Sequence, residues 1–154
     1  MEIKITYGSG EGPTELSAFD KALYDAGIAD YNIIVLSSII PEGAHITLGK
    51  IDWNRREHGY KLYAVLSRQI ETEIKKEAWA GLGWIQDTTG KGLFVEHQGS
   101  SEQDVKDLIG RSLSSMQEYR SNIYDRFNQK LVGIKCKKDP VCALVCAVFK
   151  SESW

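Results

Sequence analysis

The stretch NIIVLSSIIPEG, residues 32–43, decides how this chain is read. It belongs to a β-rich run, YNIIVLSSII, that Pro41 and Gly43 bring to an end. Inside the run stands a hydroxyl doublet, Ser37-Ser38. A plain buried strand would continue there with another Val or Ile. A doublet in that place marks an interruption that needs a reason.

Upstream of the run, Leu16, Phe19, Leu23 and Ala26 recur at spacings of three and four and predict one apolar helix face, closed by Gly27 as C-cap. Before that helix, EIKITY alternates and reads as a strand over residues 2 to 7, with GSGEG, 8 to 12, as a glycine loop. The loop lacks the spacing and flanks of a phosphate cradle. Downstream, strands are expected near 60–70, 76–86 and 91–97, with DTTGKG turning the last two. The string QIETEIKK between the first two also suits a helix. Ser100 precedes Gln103 in a capping-box pattern, and Val105, Leu108, Ile109, Leu113, Met116 and Tyr119 then predict a second helix over about 101–121. The tail KLVGIKCKKDPVCALVCAVFK reads as two strands turned at KKDP. Two amphipathic helices cannot cover both faces of one large sheet. The expected fold is therefore α+β: a sandwich of mostly antiparallel sheets with outer helices, of αββα type, in one domain spanning 1–154.

Composition narrows the function. With 154 residues and 42% hydrophobic content the chain can bury about 70% of its unfolded surface. Lys plus Arg is 19 against 21 Asp plus Glu, a net charge of −2, which gives no reason to expect nucleic acid or an anionic membrane as partner. No apolar run is long enough to cross a bilayer, and MEIKITYGSG contains no signal-peptide core. A cytoplasmic location is expected. The three cysteines, Cys136, Cys142 and Cys146, are an odd count and read as buried reduced thiols. His45, His58 and His97 show no metal-ligand spacing and read as surface or packing residues. Tryptophans such as Trp53 and Trp84 read as core or subunit-interface groups.

Serine chemistry supplies a reason for the doublet. In a constrained turn a serine hydroxyl can attack the preceding carbonyl. The amide becomes an ester, β-elimination breaks the chain, and the new N-terminal dehydroalanine hydrolyses to a pyruvoyl group. A strained Ser-Ser step at a strand end beside Pro41 meets that need. The surroundings point the same way. Residues 8 to 44 resemble the pyruvoyl-dependent arginine decarboxylases through AFDKAL, AGI, Asn32 and SSIIP, in that order. GLFVEHQG, 92 to 99, is similar to the family's strand bearing the catalytic glutamate, and CALVCAVF to its small-residue strand near the end. The match is loose between Ile46 and Arg68, where KIDWNRREHGY departs from the family pattern.

The resemblance implies a proenzyme cleaved between Ser37 and Ser38, giving a β chain of 1–37 and an α chain of 38–154 that begins with a pyruvoyl group made from Ser38. No pyridoxal phosphate and no metal is implied. It implies L-arginine as substrate, agmatine and CO2 as products, and homotrimers, sometimes paired into hexamers, with active sites between subunits.

Individual residues then take expected roles. Glu96 is the expected proton donor. In a strand it shares a face with Phe94, while Val95 and His97 point the other way. Desolvation on an apolar face favours a neutral, proton-donating carboxyl. Asn32 has an amide able to donate to a carbonyl or orient the scissile peptide, although a turn after AGIAD would also suit an Asn. Asp20 flanks the first helix's apolar stripe, and the resemblance places it against the substrate guanidinium, which a planar carboxylate suits. Leu16 and Ile39 match apolar positions lining the family's pocket. Two alternatives stay open from sequence: the same pyruvoyl chemistry on another amino acid, and an uncleaved, non-catalytic homologue acting as an assembly subunit.

Overall fold

The computed structural model describes residues 1–52, 54–121 and 123–154. Trp53 therefore lies outside the described residues. The elements in chain order are β1 (Glu2–Glu11), α1 (Glu15–Ala26), β2 (Asn32–Val35), β3 (Ile39–Ile40), β4 (His45–Leu48), a single 3-10 turn (Arg55–Glu57), β5 (Lys61–Glu71), β6 (Glu77–Gln86), β7 (Gly92–Gly99), α2 (Glu102–Glu118), β8 (Arg126–Lys135) and β9 (Val141–Glu152).

These elements stack in four layers. One sheet has the order β2-β5-β9-β1-β4 and the other β3-β7-β6-β8. Pairing is antiparallel except at the two edges of the first sheet, where β2 runs parallel to β5 and β4 parallel to β1. Ile3, Ile5, Val65, Leu82, Trp84, Phe94 and Val145 fill the layer between the sheets. Helix α1 covers the outside of the first sheet through Ala18, Ala22, Leu23 and Ala26, against Leu62, Leu144 and Cys146. Helix α2 covers the outside of the second through Val105, Ile109 and Leu113, against Ile85, Leu93 and Val95. The αββα sandwich expected from the alternation of helical and strand periodicities is the fold. All three cysteines are buried and reduced.

Four local expectations are corrected. GSGEG is not a loop: β1 continues through Glu11, still paired with β9. The glycines serve close approach, because a Cβ at Gly8 would lie 2.2 Å from the Ala22 carbonyl oxygen and one at Gly10 2.4 Å from that of Ala18. That contact also rotates the helix. Its buried seam is made of alanines, and Leu16, expected inside, is 75% exposed. The cap of α2 is Ser101, whose hydroxyl accepts from the N–H of Asp104, one residue later than the Ser100 and Gln103 pattern suggested. Finally, β4 and the 3-10 turn carry no strong periodicity and were not anticipated. Gly27 does cap α1, in the left-handed region with φ 79°.

The run around the doublet is split. β2 is an edge strand of the first sheet and β3 an edge strand of the second. The N–H of Leu36 still donates to the Ala64 carbonyl of β5, while Ile39 already pairs with Leu93 of β7. The chain therefore steps from one sheet to the other across residues 36–38, and the two serines occupy the step.

Candidate active site

Ser38 is held on both sides. Its backbone carbonyl accepts from the N–H of Phe94 at 2.8 Å, and its hydroxyl donates to Oε1 of Glu96 at 2.7 Å. Both partners lie on β7, and side chains two apart on a strand face the same way. Phe94 is fully buried between the sheets, so Glu96 also points into that layer, near its open side where β2 and β3 meet. Opposite Glu96 on β6 is the buried Leu82. Its neighbours face α2 as the alternation requires: Val95 packs in the α2 core, and Nε2 of His97 meets the Ser112 hydroxyl at 2.7 Å.

The backbone of Ser38 is unusual. Its φ is 65°, in the left-handed region that side-chain-bearing residues rarely adopt. At ordinary negative φ, the Cβ of a residue lies anti to the preceding carbonyl carbon. At the φ of Ser38 it lies gauche. The hydroxyl can then swing toward the Ser37 carbonyl carbon and close a five-membered ring. Strain of this kind costs on the order of 1–3 kcal/mol and persists only where the surroundings enforce it. Here the Phe94 N–H and the Glu96 carboxylate do so. A hydroxyl able to reach the preceding carbonyl, and a carboxyl group positioned to take its proton, are what conversion of a serine to a pyruvoyl group requires.

Of the other expected site residues, only Ile39 lies beside this pair; Asn32, Asp20 and Leu16 stand apart from it. Asn32 opens β2, where its backbone N–H donates to the Tyr60 carbonyl at 2.8 Å and its side-chain Nδ2 to the Gly59 carbonyl at 2.7 Å. It borders a cavity of about 480 Å³ with Phe19, Leu23, Val35, Leu66 and Arg68. The Arg68 guanidinium stacks over the Phe19 ring at 4.2 Å. Asp20 and Leu16 are one helical turn apart on the exposed side of α1. Ile39, beside the strained serine, is 56% exposed.

One protomer does not join the two groups. Asp20 stands on the outer helix layer and Glu96 in the inter-sheet layer. Asn32 lies at the opposite end of β2 from the step, which three residues of strand alone place about 10 Å away. Sequence reading missed three partners: the Phe94 N–H, the Gly59 carbonyl and Arg68. The first two are backbone groups that side-chain identity cannot reveal, and Arg68 lies where the family pattern is loose.

Comparison with known proteins adds an independent line. A sequence model of the family described as pyruvoyl-dependent arginine decarboxylase matches residues 2–153. A protein of that name from Methanocaldococcus jannaschii is 50% identical, covering 99% of this chain and 88% of its own length. Proteins of the same name from Halobacterium salinarum and Thermoplasma volcanium are 34% and 31% identical, covering 77% and 85% of this chain and 74% and 77% of their own lengths. The chain that carries the strained Ser38 and its Glu96 partner thus belongs to the pyruvoyl-dependent arginine decarboxylase family.

Proposed function

We propose that this protein cleaves itself between Ser37 and Ser38 and then decarboxylates L-arginine to agmatine and CO2. The observation that carries the reading is the left-handed Ser38 with its hydroxyl 2.7 Å from the Glu96 carboxylate.

In processing, Glu96 receives the hydroxyl proton as Oγ of Ser38 attacks the Ser37 carbonyl carbon. The C–N bond breaks, nitrogen regains a proton, and Ser37 is left joined to Ser38 through an ester. Loss of the Ser38 α-proton expels the Ser37 carboxylate as leaving group. Water then releases ammonia from the dehydroalanine. The β chain is 1–37 and the α chain 38–154.

The resulting pyruvoyl group supplies an electron sink for the pair left behind when CO2 departs. The rest is the work of side chains. With the hydroxyl consumed, Glu96 is left facing the new group with a proton to deliver to the substrate α-carbon. Asp20 receives the guanidinium through charge-assisted bonds, Asn32 orients the reacting end, and Leu16 and Ile39 supply apolar walls. Because one protomer keeps these residues apart, we assign the complete site to a homotrimer, or a hexamer of two trimers, in which Asp20, Leu16 and Asn32 of one copy meet Ser38, Ile39 and Glu96 of the next. The exposure of Leu16, Val35 and Ile39 supports a covering copy. Among the described residues no helix is long and apolar enough to cross a membrane. Buried, reduced thiols fit a cytoplasmic enzyme.

Intact-mass measurement of the purified protein, with agmatine formation from arginine, tests the reading. Two chains meeting at Ser37/Ser38, the larger reactive toward carbonyl reagents, are expected. One unbroken chain with no turnover would overturn it.

A further inference from the structure

The Gly59 carbonyl accepts two side-chain donors, Nδ2 of Asn32 at 2.7 Å and Nε1 of Trp154 at 2.9 Å. A carbonyl oxygen has two lone pairs, so the two donors divide it between them. The carbonyl is itself fixed. Gly59 sits in the left-handed region with φ 79°, and its N–H donates to the Asp30 carbonyl at 2.7 Å. Next to Asn32, the Tyr31 hydroxyl donates to Oε2 of Glu57 at 2.8 Å. The 54–60 segment is thereby tied to residues 30–32 at several points.

Trp154 is placed with equal care. β9 pairs with β5 as far as Lys61 and Glu152, and the Lys61 ammonium lies 5.1 Å from the indole centroid. Yet the residue is 82% exposed, so apolar burial does not account for a tryptophan there. Its N–H does. By occupying one side of the Gly59 oxygen it leaves Asn32 the other, and this restricts the direction of an amide that would otherwise choose among rotamers at the exposed end of an edge strand.

We propose that Trp154 is a positioning residue for Asn32, acting through the Gly59 carbonyl, so that the amide bordering the cavity shared with Phe19 and Arg68 is aimed from outside it. The inference rests on the role given to Asn32 above.

A double-mutant cycle tests it, using kcat/KM for arginine in fully cleaved wild type, Asn32→Ala, Trp154→Phe and the double variant. Phe keeps a six-membered aromatic ring beside Lys61 and removes the donor with the pyrrole part of the indole. Trp154→Phe is expected to lower kcat/KM about 3- to 10-fold, the usual weight of one neutral hydrogen bond. The double variant should be no worse than Asn32→Ala alone. The side-chain amide proton resonances of Asn32 should shift in Trp154→Phe while those of the β6 and β7 backbone stay. Full activity in Trp154→Phe beside an impaired Asn32→Ala, or losses that multiply in the double variant, would overturn the inference and leave the function standing. Wild-type activity in Asn32→Ala would instead remove the role of Asn32 on which it rests.

Discussion

The hydroxyl of Ser38 and the carboxylate of Glu96, 58 positions apart in sequence, meet at 2.7 Å where the chain steps between sheets. The contact joins a strained residue to a group able to accept its proton, and it is made within one protomer. Processing can therefore be examined separately from substrate recognition, which the proposal places on residues of the helix α1 side.

Ser38→Ala leaves no hydroxyl to attack the Ser37 carbonyl. The variant should remain a single chain of unprocessed mass after long incubation, and it should make no agmatine. Mass spectrometry decides the first point and product assay the second. Appearance of two chains in this variant would move the cleavage chemistry elsewhere.

Glu96→Gln separates the two reactions. The amide oxygen still accepts the Ser38 hydroxyl but takes its proton poorly, so cleavage should be slower and still detectable. Turnover by the cleaved fraction should fall by roughly 10²–10⁴, the usual cost of a lost acid–base group. Undiminished turnover per cleaved site would remove Glu96 from proton delivery.

Asp20→Asn addresses specificity. Loss of the charge-assisted bonds should lower kcat/KM for arginine by about 10- to 150-fold with cleavage intact. An analogue without a terminal positive charge should change much less. Equal losses for both substrates would give Asp20 a part in assembly instead.

Burial holds the His97 pKa below its ordinary 6.5. Above that value the ring is neutral in both folded and unfolded states. As pH falls, the unfolded chain takes up a proton first, so stability declines until pH passes below the folded-state value. In His97→Gln this contribution vanishes. Urea midpoints between pH 7 and pH 5 should fall more steeply for wild type than for the variant; matching slopes would show that His97 does not carry the effect.

Desolvation pushes the Cys142 thiol to about 11 and the Cys146 thiol to about 12. Both should stay protonated and unreactive toward thiol reagents at pH 8 in the folded protein, and react once it is unfolded. Rapid labelling under native conditions would show that β9 opens.

The layers were legible in sequence because both periodicities are strong. Val105, Ile109 and Leu113 on α2, and the alternation along β7, led to the observed sandwich and turned Glu96 inward. The glycines at 8 and 10 were misread because glycine serves both a turn and a tight contact, and only the helix lying across them decides which. Leu16 was misplaced for the same reason. A helix pressed onto glycine buries alanine and turns larger side chains outward. The Ser38 carbonyl is held by the Phe94 N–H, and the Asn32 amide by a carbonyl 27 residues away. Neither has a side-chain signature. Asp20, Asn32 and Glu96 were grouped as one expected site only through family resemblance, since their positions in a single chain do not converge.

The strand order has a consequence for the proposed cut between Ser37 and Ser38. In the first sheet β2 and β1 would belong to the piece ending at Ser37, while β5, β9 and β4 would belong to the other. The shorter fragment would therefore be interleaved with the longer one, with β1 gripped by a strand on either side and α1 lying over it. Breaking that peptide bond would free a new end without freeing a chain. The two fragments should co-migrate under native conditions and part only on denaturation. Once parted they would face a harder task than the parent polypeptide, since β1 must find a slot between two strands with no covalent link to guide it.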